Sequence, residues 1–136
     1  MDIVFVNQVS STARIPQEVI RALRKRINKL FKRKIQSKVI SVVFVSSGVS
    51  KKLNSEYRNK ARATNVLSFV SPEKKELGDI VICPQIAKRE AESIRVGFNW
   101  WVGYLFVHGT LHLLGYDHKT TKEENKMEAL AKKILN

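Results

Sequence analysis

The chain has a single cysteine, Cys83, so no intrachain disulfide can form and no disulfide-linked partner is expected. Glycine and proline are sparse, six and three, and no repeat, low-complexity tract or linker divides the 136 residues. A long apolar run is also missing. The longest, Trp100 to Val107, falls far short of the ~20 residues a membrane-spanning helix needs. The opening, Met1-Asp-Ile-Val-Phe-Val, has neither the basic start nor the cleavage signal of a secretory peptide. These absences predict one cytoplasmic domain with no membrane partner. Its 43% hydrophobic content suffices for a core without covalent staples. Acidic residues are scarce as well: 12 Asp and Glu stand against 25 Lys and Arg, a net charge of +13. Such an excess repels itself in a compact fold and points to a polyanionic partner, RNA or DNA, whose phosphates supply most of the affinity. The alternative is an organism-wide bias towards lysine-rich surfaces.

Histidine is rare too, but its distribution is informative. All three lie within eleven residues, His108-Gly-Thr-Leu-His112-Leu-Leu-Gly115-Tyr-Asp-His118. Residues four apart share one face of a helix, so His108 and His112 can address a common point. Gly115 stands where a left-handed helix end would reverse the chain and return His118 towards the first two. Three imidazoles on one ion, with a fourth position left to water, make an open catalytic zinc site; a structural zinc wants four protein ligands, and no fourth histidine or second cysteine exists. Imidazole also suits other transition metals. The same spacing marks metzincin peptidases, but these place a glutamate after the first histidine, where this chain has Gly109.

Residues 2 to 7 read as a strand, and Pro16 opens a helix running to about Lys34 with apolar positions Val19, Ile20, Leu23, Ile27, Leu30 and Phe31. Its other face carries Arg21, Arg24, Lys25 and Lys29, a solvated stripe able to meet phosphates. Val39 to Val45 is a β-branched strand, Ser50 to Asn59 a short helix, and Thr64 to Val70 and Gly78 to Cys83 two further strands. Pro84 starts a helix ending before Gly97, a helix over about Asn99 to Leu114 carries the histidines, and a last one begins near Thr120. Thr120 with Glu123, or Thr121 with Glu124, offers a capping box there. The expected fold is α+β, a single domain: one mixed sheet of about four strands covered by about five helices, with the metal site on a C-terminal helix and the loop after it. Trp100 and Trp101 are adjacent, so one of them faces inward.

Three segments together resemble the YbeY family of bacterial rRNA-processing endoribonucleases. They are Leu53-Asn54-x-x-Tyr57-Arg58 running into Thr64-Asn65-Val66-Leu67-Ser68-Phe69, then Leu77-Gly78-Asp79-Ile80-Val81-Ile82, and Val107 to His118. The resemblance implies one zinc ion held by His108, His112 and His118. It implies a functional arginine at Arg58, which by its own sequence context reads equally as a surface ion pair with Glu56 or Glu73. It further implies cleavage of single-stranded RNA in small-subunit (16S) rRNA maturation and ribosome quality control, with the ribosome or assembly factors as partners. Ala61, Ala63 and Val70 depart from the family's usual aspartate, proline and proline.

These residues support metal-assisted hydrolysis of a phosphodiester, with Arg58 as donor to a non-bridging oxygen. Asp117 is expected to orient a histidine tautomer, and Tyr116, tied to the ligand loop, to touch RNA. Two other classes stay in play: a non-catalytic RNA-binding assembly factor with a structural metal, and a zinc peptidase.

Overall fold

The computed structural model describes residues 1–9, 15–58 and 65–136. Its elements in chain order are β1 (Asp2–Asn7), α1 (Gln17–Leu30), α2 (Lys32–Ile35), β2 (Val39–Phe44), α3 (Ser47–Arg58), β3 (Val66–Val70), β4 (Glu76–Ile82), α4 (Pro84–Ser93), α5 (Phe98–Leu113) and α6 (Thr121–Leu135). The four described strands form one sheet in the order β1-β2-β4-β3. β1 with β2 and β2 with β4 run parallel, and β3 returns antiparallel to β4. Parallel neighbours need a crossover, and α1 with α2 provides it between β1 and β2.

Helices cover one face of the sheet; the other carries Leu53 of α3 but leaves Val4 and Val6 of β1 and Asp79 of β4 exposed. Alternate residues Ile40, Val42 and Phe44 of β2, with Ile80 and Ile82 of β4, meet Ile20, Leu23 and Ile27 of α1 and Phe106 and Leu111 of α5 in the main core. Their neighbours in register point the other way: Val43, Val45, Leu67, Phe69 and Val81 join Leu53 of α3 in a smaller cluster. α5 is apolar almost all round, as a helix enclosed by other elements should be, and packs against β3, β4, α1, α4 and α6.

The expected α+β architecture is present, with differences in detail. The helix predicted from Pro16 to Lys34 is two helices, because Phe31 leaves helical geometry (φ −116°) and sets its ring against Tyr116, 6.1 Å away between centroids. Six helices therefore appear among the described residues, against about five predicted. The strand predicted from Thr64 begins at Val66; Thr64, Ala61 and Ala63 lie outside the described residues. At α6, Thr120 is the N-cap and its hydroxyl accepts the Glu123 N–H at 3.2 Å, selecting one of the two predicted caps. Cys83 is buried where β4 passes into α4.

Candidate metal centre and its cleft

α5 ends in a way that fixes the spacing of the histidines. Gly115 takes φ +99°, its N–H reaches the His112 carbonyl, and the Tyr116 N–H reaches the Leu111 carbonyl, both at 3.0 Å. This hydrogen-bond pair is the Schellman motif, which only a residue tolerant of positive φ closes cheaply. The chain turns as the sequence predicted, and His118 comes back to His112: their ring centroids are 5.2 Å apart and the rings stand edge to face. Asp117 joins them. Donor atoms of His112, Asp117 and His118 all lie within 4.8 Å of one another, close enough to hold one metal ion.

The Asp117 carboxylate accepts the His118 backbone N–H at 2.7 Å and lies 3.9 Å from His118 Nδ1 and 3.8 Å from Lys119 Nζ. That backbone hydrogen bond, helped by the nearby cations, lowers its pKa below the ordinary carboxylate value.

His108 lines the same cleft one turn earlier on α5, but its ring leans towards α6. Nε2 is 3.2 Å from Glu128 Oε1 yet outside hydrogen-bonding geometry, so this buried nitrogen has no hydrogen-bond partner among the described residues. Burial lowers the His108 pKa most; Glu128 opposes this, while the His112 and His118 imidazoles add to it. A half-buried imidazole with an unfilled nitrogen, in a cleft shared with two other histidines, suits a metal ion. Tyr104, one turn further back, donates its hydroxyl to the same Glu128 oxygen at 3.3 Å, and its ring meets that of His108 at 4.2 Å, tilted by 37°. Burial, then Glu128, raises the Tyr104 pKa.

The opposite wall of the cleft is Asn65, Val66 and Ser68 at the start of β3. Gly109 forms the floor for a steric reason: a Cβ there would meet three Ile80 side-chain carbons at 3.1–3.2 Å. The position packs α5 onto β4, so a side chain at residue 109 would start into the sheet and away from the histidines. A peptidase-type glutamate there would crowd Ile80 and start away from the histidines.

The basic residues of α1 lie elsewhere. Arg24 binds the Met1 carbonyl and the Asp2 carboxylate, each at 3.2 Å, and Arg21 sits 4.9 Å over the Phe5 ring. Lys25 and Lys29 are exposed. Tyr116 does not line the cleft; its ring packs on Phe31, with Lys34 and Lys126 ammonium groups each 5.8 Å from its centroid. Arg58 closes α3, and its side chain lies outside the described part.

Sequence reasoning missed three participants. Glu128 is far along the chain and nothing local marks it. Glu90, on α4, accepts the Asn65 amide at 2.9 and 3.1 Å and the Trp101 indole N–H at 3.3 Å, tying the two walls together. Tyr104 had a readable signal, since it precedes His108 by four residues on the same helical stripe.

The family described as Endoribonuclease YbeY matches residues 5–136. An Endoribonuclease YbeY of Bdellovibrio bacteriovorus is 35% identical over 130 residues, covering 91% of this chain and 85% of its own length. One of Rhizobium etli is 43% identical over 103 residues, covering 71% of this chain and 60% of the relative. The solution structure of a Thermotoga maritima protein superposes with a TM-score of 0.65 at 25% identity, covering 97% of this chain and 88% of that one. With a match from residue 5 to the last and relatives of this identity, the chain belongs to the YbeY endoribonuclease family.

Proposed function

We propose that this chain is a zinc-dependent, single-strand-specific endoribonuclease of the cytoplasm, acting at the 3′ end of small-subunit (16S) rRNA and in ribosome quality control, with the ribosome or its assembly factors as partners. The observation that carries the reading is the convergence of the histidine-rich turn: His112 and His118 face each other, and the unfilled His108 Nε2 lies in the same cleft. His108, His112 and His118 hold the ion, and Asp117 fixes the loop that presents His118. Zinc in such a site supplies a Lewis acid for a phosphoryl oxygen and an acidified water. The remaining work falls to the chain. Arg58 offers its planar fork to a non-bridging oxygen as negative charge develops. The Glu90 bridge holds the Asn65 wall against α5. Membership in an endoribonuclease family and the net charge of +13 support RNA as the substrate.

The test is cleavage of one labelled single-stranded rRNA fragment by rigorously purified wild type and His112→Ala, with metal content measured on both. Wild-type cleavage with loss of at least about 10³-fold in the variant is expected, the scale on which removing an essential catalytic group acts. Equal cleavage by both proteins would exclude the histidine turn. Silence from both with RNA binding intact would favour a non-catalytic assembly factor. Product ends separate two routes: a 2′,3′-cyclic phosphate means attack by the RNA 2′-hydroxyl rather than by water.

A further inference from the structure

The stripe of α5 that ends in His108 and His112 begins in aromatic residues: Trp100, Tyr104, His108 and His112 recur every four positions. Tyr104 is parallel to Trp101 within 9° at 4.9 Å and to Trp100 within 23° at 5.6 Å, and it touches His108 at its other end. Trp101 and Tyr104 line the cleft, while Trp100, set against both rings, is 46% exposed. A tryptophan left half in water beside two further rings forgoes burial that a core would use, and such patches mark contact surfaces. The group is also held rigid, since the Trp101 indole N–H is fixed by Glu90, which is itself held by Asn65. A partner therefore meets a surface already arranged, at low ordering cost.

We propose that Trp100, Trp101 and Tyr104 form a stacking platform for an unpaired nucleobase next to the phosphate held at the histidines. The proposal rests on the endoribonuclease reading above and names the subsite that recognises single strands. At ~1.5 Å rise per residue, Tyr104 lies about 6 Å and Trp100 about 12 Å along the axis from His108, within reach of bases flanking the scissile bond. Every base presents a π-face, so the platform takes bases without sequence preference, and a base locked in a duplex cannot reach it. A strongly cationic chain favours this polyanionic occupant over an apolar one.

Both tryptophans of the chain belong to the platform, so intrinsic tryptophan fluorescence reports on it alone. Wild type, Trp100→Ala and Trp100→Phe are titrated with an unstructured oligoribonucleotide in chelator, which prevents cleavage, and with an abasic strand of equal length. Wild-type fluorescence is expected to quench with the normal strand and not the abasic one. Trp100→Ala should weaken binding roughly 5- to 150-fold, the range of one lost base stack. Trp100→Phe should restore most of the affinity, and the salt slope should stay unchanged because phosphate contacts remain. Wild type and Trp100→Ala that bind equally and both cleave RNA with metal restored would overturn the platform and leave the nuclease intact. A wild type that neither binds nor cleaves RNA would remove the nuclease reading, and the platform with it. A dimer that Trp100→Ala converts to monomer at unchanged RNA affinity would assign the patch to a second copy of the chain and end the proposal.

Discussion

The basic face of α1 and the histidine cleft differ in what their polar groups converge on. On α1, Arg24 holds the start of β1 and Arg26 donates to the Ile134 and Leu135 carbonyls at the end of α6 at 2.9 and 3.0 Å. These arginines fasten the two ends of the chain to one helix. Both regions bury polar atoms without a hydrogen-bond partner among the described residues, Arg24 Nε and Asn28 Oδ1 on α1 and His108 Nε2 in the cleft, but in the cleft three donor groups also lie within 4.8 Å of one another. An unsatisfied buried polar atom is costly wherever it lies, so it does not by itself single out a site. Charge density alone would point to α1; convergence of metal-ligating donors points to the cleft.

The sharpest way to break this contrast is Arg58→Ala. If cationic charge were all that mattered, losing Arg58 would cost no more than losing a lysine of α1. A donor aimed at developing charge is expected instead to cost about 10²- to 10³-fold in kcat, with metal content unchanged, measured by single-turnover cleavage. A loss below tenfold would return Arg58 to the surface ion-pair reading.

Glu128→Gln comes next. It keeps the shape of the side chain that backs His108 and accepts from Tyr104, but removes the charge. The Glu128 carboxylate stands 3.2 Å from the nitrogen that His108 offers to the ion, so losing that negative charge should weaken metal binding about 5-fold or more, read by competition with a chromophoric chelator. Unchanged metal affinity would mean that Glu128 serves only the α5–α6 contact.

The smallest effect belongs to the pair Lys25→Ala with Lys29→Ala. Exposed phosphate contacts carry no sequence information, so the expected change is uniform weakening across RNA sequences and a salt slope reduced by about 1.4, the value for two contacts to a single strand. kcat should not move. A drop in kcat would bring the α1 face into the site after all.

How much of this was legible in the sequence follows the range of the interactions. The strands, the α5 histidine stripe and the Gly115 reversal are set by neighbours within a few residues, and the sequence carried them. The break at Phe31 depends on Tyr116, and the lean of His108 on Glu128, each reached only through the fold. Trp100 and Trp101 show the same limit: adjacency predicted that one turns inward, while the parallel stack with Tyr104 needed coordinates. The close packing of Gly109 on Ile80 likewise needed coordinates.

The main-chain closure after α5 also has a bearing on chain length. Two backbone hydrogen bonds and one positive φ reverse the chain between His112 and His118, and the Asp117 carboxylate then accepts the His118 N–H. The interval behaves as a ruler of fixed count: one residue inserted within the helical part would swing everything downstream by about 100°.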